Sequence, residues 1–349
     1  MYDAVFVGGG VIGLACARRA TERGLEVCVL ERGAAGSGAS RVAAGILAPD
    51  GEREPGDDPF VLLARRSLEL YPEFVGALGA DVGFWPCGML TVTFDGDEAA
   101  ALTSAECRAL EPGLSPLVAG GTSSEHEASV DPRRLVAALA AGVNVREGVE
   151  VTAVTRGSVT TAAGETIPAG RVVVCAGAWS GFAGAPVRPV KGQVVRLRGE
   201  LPARRMIRTE RVYVVPRRNG EVVLGATLEE RGFDTTVTAG AVRELLDEGC
   251  RVLPELRELE LVDVTAGLRP GSPDDGPLLG EREDGVVLAT GHYRNGILLA
   301  PVTAETIAAL LAGEEPPPEA EPFAPGRASV GLAEPGDEAG GRRVDVQQA

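Results

Sequence analysis

Residues 4–7 are wholly apolar and run into Gly8-Gly9-Gly10, after which apolar positions recur at helical spacing from 11 to 23. A second apolar run, Val27-Cys28-Val29-Leu30, follows and closes on Glu31. Strand, glycine turn, helix and strand in that order open a parallel nucleotide-binding unit. Further along, Asp131 supplies an N-cap and Pro132 a first-turn proline ahead of an amphipathic helix that Gly142 stops. Residues 151–155 and 158–161 predict short strands. Val172-Val173-Val174-Cys175 is apolar on both faces, as a central parallel strand must be. From 187 to 227 apolar and polar positions alternate (QVVRLRG, RVYVVPR, EVVLGAT), which predicts an antiparallel sheet with one face in water. Residues 286–289 form another buried strand, and 297–311 a helix that contains Pro301.

Two kinds of sheet in one chain predict two units, and the 349-residue length agrees, being too great for one simple core. Residues 38–49 read as a Gly/Ala-rich turn with a short helix. At 50–58 the composition shifts to Gly, Glu, Pro and Asp, which suits an exit into the second unit. Beyond Gly313 the chain is rich in Pro, Glu, Gly and Ala with few large apolar residues, so 313–349 is expected to be a disordered tail.

Charge narrows the partners. A net charge of −16 repels phosphate backbones and anionic lipid, so nucleic acid is not expected as a partner, nor a membrane. The longest apolar runs, such as 297–300, fall far short of the roughly 20 residues that span a bilayer. The start, MYDAVFVGGG, has no basic or apolar leader, and a cytoplasmic protein is expected. Six cysteines show no CxxC pair, and the only histidines are His126 and His292, so neither a structural metal nor a His-based triad is expected. Lys191 is the single lysine among 34 basic residues, a skew that carries no mechanism by itself.

In Gly8-x-Gly10-x-x-Gly13 the first glycine makes a tight turn, the second lets a pyrophosphate approach the backbone, and the third packs helix on strand. The phosphates then sit on a positive helix N-terminus. Glu31 falls about 20 residues on, where a ribose hydroxyl needs an acceptor, and an acid there argues against a 2′-phosphate. A structural glycine turn is the plain alternative, and the motif does not separate FAD from NAD.

Several later segments decide that question by likeness. GASRVAAGILAP (38–49), VDPRRLVAAL (130–139), AGAWS (176–180), PVKGQ (189–193), YVVPR (213–217), VVLGATLEERGFD (222–234), AGLRPGSPDDGPLLG (266–280) and GHYRNGILLAP (291–301) occur in order. With the amino-terminal motif they resemble the FAD-dependent D-amino-acid-oxidase superfamily and, within it, the glycine oxidases of thiamine biosynthesis. The resemblance runs from residue 1 to about 312. It implies an α/β fold: a discontinuous Rossmann-like FAD-binding domain from 1–50, 128–185 and 280–312, and an α+β substrate domain from 51–127 and 186–279 on a mainly antiparallel sheet. It implies non-covalent FAD, a small amino acid or amine as substrate, dioxygen as acceptor, thiazole synthase as a partner, and a homo-oligomer.

The same resemblance assigns residues. FAD contacts are expected from Gly8, Gly10, Val11, Ile12 and Gly13; from Glu31 and Arg32; and from Ala39, Ser40, Ala44, Gly45 and Ile46. Val151, Ala176 and Gly177 are expected to join them, with His292, Arg294, Asn295, Gly296, Ile297 and Leu298 in the closing loop. Arg269 stands where the family keeps the arginine that forks the substrate carboxylate through two parallel charge-assisted bonds. Tyr213 matches the tyrosine that adds a hydroxyl to that carboxylate, though a strand aromatic also suits plain packing. Arg294 is a further candidate at the substrate end. His292 is read as structural, because hydride transfer from an amine needs no such base. Val264-Thr265 and Leu228 depart from the family pattern, and both are expected to retune pocket size. A D-amino-acid or sarcosine oxidase, a flavin dehydrogenase, and a flavin-bearing scaffold without turnover are the rival readings.

Overall fold

The computed structural model describes residues 1–50, 58–95, 100–200 and 203–329. Strand Tyr2–Val7 pairs in parallel with Val27–Glu31 on one side and Thr166–Val174 on the other. The sheet continues outward to Val145–Glu147 past one edge. Past the other it runs to Val287–Thr290, also parallel, and then to an antiparallel edge strand, Leu278–Glu281. Ala4, Val5 and Phe6 are fully buried, as a strand covered on both faces requires. Helices Val11–Glu22, Pro132–Ala140 and Ala300–Ala312 pack on one face. The hairpin of Val151–Thr155 and Ser158–Thr161 closes the other against Val5, Cys28 and Val172. Asp131 caps its helix as its position predicts, accepting from the backbone amides of Arg133 and Arg134.

A second sheet takes the strand order Glu260–Gly271, Arg188–Arg198, Glu221–Gly225, Tyr213–Pro216, Met206–Arg208, Met89–Thr93, Gly120–Ser124, Leu102–Thr103. It is antiparallel except where Met206–Arg208 meets Met89–Thr93. The expected water-facing side does not exist along its centre. Val195, Leu197 and Leu224 pack under helix Ala239–Val252, while Val194, Val215 and Val223 face Ala44 and Ala48 of the first unit. The polar positions of the alternation are therefore buried: Lys191, Gln193 and Arg196 are each about 1% exposed. They are kept there by partners, as buried polar groups must be.

Two other expectations are corrected. Helix Pro59–Gly76, placed by sequence with the second unit, buries Phe60, Leu63, Ala64 and Tyr71 in the core of the first. Its Ser67 and Tyr71 hydroxyls donate to the carbonyls of Leu298 and Ile297, both at 2.7 Å. The proposed exit at 50–58 lies mostly outside the described residues. The tail is ordered as far as Ser329. Pro318–Phe323 and Pro325–Ser329 are 3₁₀ turns, Phe323 packs edge-on against Phe60 at 6.5 Å, and Arg327 pairs with Asp274 at 2.8 Å. Composition averages miss a segment held by one buried ring and one ion pair. Residues 330–349 lie outside the described residues. Among the described residues no helix is long and apolar enough to cross a membrane, no group of His, Cys, Asp and Glu could hold a metal, and all six cysteines are free.

Candidate active site

A cavity of about 790 Å³ runs between the two sheets, from the first glycine turn to strand Glu260–Gly271. At one end the backbone shapes it. Gly8 has φ +115°, and a Cβ there would lie 2.4 Å from the Cys175 carbonyl oxygen. At Gly13 a Cβ would sit 2.0 Å from the Gly8 oxygen, so helix Val11–Glu22 can leave the strand only if both positions lack side chains. Over Gly10, in contrast, a Cβ would meet only Ser40 Oγ, at 3.4 Å, and that space opens into the cavity. The helix begins at Gly10 with no side-chain cap from that residue and no acid in its first turn. Its positive end thus faces the cavity, as a pyrophosphate site demands. Ser40 Oγ accepts from the Val11 amide at 3.0 Å. The Glu31 carboxylate accepts one backbone amide on each oxygen, from Gly9 at 2.7 Å and Gly33 at 2.8 Å. Each oxygen keeps a further lone pair for a ribose hydroxyl. These features fit the diphosphate and ribose of FAD.

Midway, the 42–46 segment lines the cavity and is gripped from the second sheet. Buried Arg196 donates to the carbonyls of Arg41, Val42 and Ala43 at 3.1–3.3 Å, and buried Arg217 to Ala44 and Val130 at 2.7 and 2.8 Å. Burial pulls the Arg196 pKa down to about 10, which still leaves it charged at neutral pH. Gly45, at φ +75°, is required because a Cβ would lie 1.9 Å from the Val130 oxygen.

At the far end, strand Glu260–Gly271 presents Arg269 and strand Tyr213–Pro216 presents Tyr213. Each lies across a glycine of a neighbouring strand. A Cβ on Gly192 would fall 2.3 Å from the Arg269 guanidinium, and one on Gly225 the same distance from the Tyr213 hydroxyl. Arg269 Nη1 donates to the carbonyls of Lys191 and Thr227 at 3.2 and 3.1 Å. The 291–297 loop closes this end, stitched to the arginine's strand by the Tyr293 amide on the Pro270 carbonyl at 3.0 Å. His292 is buried with Nε2 3.0 Å from Thr303 Oγ1, and burial drives its pKa down to about 3. A neutral, internally bonded imidazole suits the structural role read from sequence. Helix Ala300–Ala312 begins three residues later than its apolar pattern suggests, behind a turn whose carbonyls Ser67 and Tyr71 hold.

The cavity brings together Arg269, Tyr213 and Arg294 with all the expected cofactor residues except two. Gly13 lies beneath the wall, where its role is close packing. Leu298 is a core residue, 1% exposed. Of the departures from pattern, Leu228 lines the cavity, whereas Val264 packs in the second core and Thr265 Oγ1 accepts from Arg196. The latter pair therefore does not set pocket size. Sequence reasoning missed the 208–212 loop and Thr227, which also line the site. It gave no role to Trp179 beyond its motif, yet the Arg32 guanidinium stacks 3.8 Å from that ring and Phe233 stacks on it at 5.6 Å. Gly192 and Gly225 were visible signals, because glycine inside a strand marks close approach.

Known proteins share this fold. A family profile described as FAD dependent oxidoreductase matches residues 3–310. The bifunctional protein ThiO/ThiG of Trichormus variabilis is 37% identical over 90% of this chain, which spans 53% of that relative. The chain thus covers about half the length of the first curated relatives it matches. The glycine oxidase of Geobacillus kaustophilus is 33% identical, with 92% of this chain and 96% of that one covered. The crystal structure of glycine oxidase from the same species superimposes with a TM-score of 0.87 at 32% identity, over 93% of this chain and 98% of that one. A glycine turn, a cavity between two sheets and a match over nearly the whole described chain lead to one conclusion: this chain belongs to the FAD-dependent oxidoreductase family.

Proposed function

We propose that this protein oxidises glycine, or a comparably small amino acid, to its imino acid with non-covalent FAD and dioxygen. The observation that carries the reading is the meeting of Arg269 and Tyr213 at the end of the cavity opposite the glycine turn, beside the 291–297 loop. When bound there, FAD supplies the acceptor for the hydride leaving the substrate Cα and passes the electrons to dioxygen, giving hydrogen peroxide. The chain's own residues do the rest. The Arg269 guanidinium binds the carboxylate, the Tyr213 hydroxyl adds a hydrogen bond, and together they fix the direction of the Cα–H bond. Gly192 and Gly225 let the two side chains lie against the neighbouring strands, where a Cβ would strike each of them. Neutral His292 holds the loop through Thr303 and takes no proton.

The relatives named glycine oxidase support the choice of substrate. Those named ThiO/ThiG, about twice as long, support a role in which the imino acid passes to a thiazole-forming partner. A peroxide assay of the yellow protein over glycine, sarcosine, D-alanine and D-proline tests the reading. Glycine turnover with stoichiometric peroxide is expected. Flavin bleaching by amine without peroxide would point to the dehydrogenase alternative, and no bleaching with any amine to a scaffold.

A further inference from the structure

Arg269 is held through two carbonyls, and both belong to residues tied to Glu229, outside the cavity: Thr227 through the Glu229 carboxylate and Lys191 through the Glu229 backbone. Glu229 Oε1 accepts from the Thr227 hydroxyl at 2.6 Å and from Gln193 Nε2 at 2.7 Å. Thr227 supplies one of the carbonyls that accept from Arg269 Nη1. Lys191 supplies the other, and its backbone is bridged to Glu229 in both directions, at 2.9 and 3.0 Å. The Lys191 ammonium, 1% exposed, lies 3.5 Å from Glu229 Oε2 and 3.0 Å from Asp234 Oδ2. Gln193 extends the same cluster, its side-chain oxygen accepting from the Thr238 backbone amide and its backbone amide donating to Thr227 Oγ1, both at 2.9 Å. Lys191, Gln193 and Glu229 themselves do not line the cavity, whereas Gly192, Thr227 and Arg269 do. Burial alone would raise the Glu229 pKa, yet its hydrogen bonds from Thr227 and Gln193 and the Lys191 charge leave it lowered, so the carboxylate is ionised where it acts.

From this geometry we infer that Glu229 is a positioning residue for carboxylate recognition, its carboxylate fixing Thr227, whose carbonyl helps to orient the Arg269 fork. The inference rests on Arg269 being the carboxylate anchor. Losing the Glu229 carboxylate removes the acceptor of the Thr227 hydroxyl and leaves Thr227 held only by the Gln193 backbone, so its carbonyl fixes the fork less firmly at the angle that a two-bond contact needs. Both hydrogen bonds fall on Oε1, so an amide in place of the acid keeps them and gives up only the contact with Lys191, which still has Asp234.

The test uses the flavin-loaded protein and acetate as the probe, with acetate affinity read by titration calorimetry beside glycine kinetics, flavin content and Tm. Glu229→Ala is expected to weaken acetate binding and raise the glycine KM by about tenfold with kcat within about twofold, while Glu229→Gln stays within about threefold of the parent. That split between the two variants, with flavin content unchanged, separates positioning from a general loss of structure. If Glu229→Ala does not yield a flavoprotein, Thr227→Val carries the test, since it removes the same link and should weaken acetate at least about threefold. Parent-like acetate binding in the folded Ala or Val variant, or equal losses in Glu229→Ala and Glu229→Gln, would overturn the inference. Arg269→Lys distinguishes the two levels. If it binds acetate like the parent, the functional reading itself falls; if it loses acetate while Glu229→Ala does not, only the positioning role falls.

Discussion

The two ends of the cavity are built from different materials. Around Gly8, Gly10 and Gly13 the walls are backbone, built from one strand-turn-helix segment on which the Cys175 carbonyl closes. Around Arg269 and Tyr213 the walls are side chains from strands far apart in sequence, each lying over a glycine of a neighbour, and the arginine is held by the carbonyls of Lys191 and Thr227. Backbone recognition is all or nothing, because a misplaced methyl group closes it. Side-chain recognition is graded, because each bond can be weakened separately.

The largest expected effect tests the first half of that contrast. Gly8→Ala places a Cβ 2.4 Å from the Cys175 oxygen at a φ of +115°, so it should cost about 3 kcal/mol or more and leave protein with little flavin. Gly24→Ala, at φ +86° with nothing within 4 Å, should cost only about 1 kcal/mol of stability and keep its flavin. The ratio of absorbance at the flavin band to that of protein reads both. Equal flavin retention in the two would break the comparison.

Arg269→Lys keeps the charge and loses the fork, so kcat/KM on glycine should fall by about 2–4 kcal/mol equivalent with flavin binding intact. Steady-state kinetics with flavin quantitation checks it. A parent-like value would move the carboxylate to another anchor, with Arg294 next in line.

A third test concerns the 291–297 loop. His292 is held neutral by burial, its pKa lowered to about 3, whereas the unfolded chain takes up that proton near the ordinary value of 6.5. A depressed histidine pKa means that the unfolded state binds more protons below 6.5, so stability falls as pH drops from 6.5 towards 3. The slope is at most about 1.4 kcal/mol per pH unit. His292→Gln should remove that part of the slope, as seen in urea unfolding at pH 7 and pH 5. Identical slopes in parent and variant would show that His292 is not the group that titrates.

The smallest effect is expected at Tyr213. Tyr213→Phe keeps the ring on Gly225 and removes one hydroxyl, costing on the order of 0.5–2 kcal/mol, mainly in KM. A loss larger than that of Arg269→Lys would reverse the ranking and make the tyrosine the main anchor.

Much of this was legible in the sequence. The opening turn, Glu31, the central strand at 172–175 and the helix capped by Asp131 were all recoverable, because each depends on local backbone preferences and burial on both faces. Arg269 and Tyr213 were singled out only through family motifs, since nothing local distinguishes them from other strand residues. Reading the alternation at 187–227 as one wet face failed for a physical reason. A polar residue every second position shows which face it shares, and not whether water or a partner covers that face. Lys191, Gln193 and Arg196 point into the molecule because Glu229, Thr238 and the carbonyls at 41–43 await them there.

Helix Pro59–Gly76 and the 318–329 segment teach the same point on the apolar side, where single anchors such as Tyr71 and Phe323 outweigh what neighbouring composition suggests. The sequence by itself determined the strand, glycine turn and helix that open the chain, because local backbone preference fixes them, while Cys175 closes on the turn from far along the chain. Only the tertiary structure decided the proposed substrate end. The orientation of an arginine there depends on strand register and on carbonyls contributed by residues 42 and 78 positions away, and no local pattern encodes such distances.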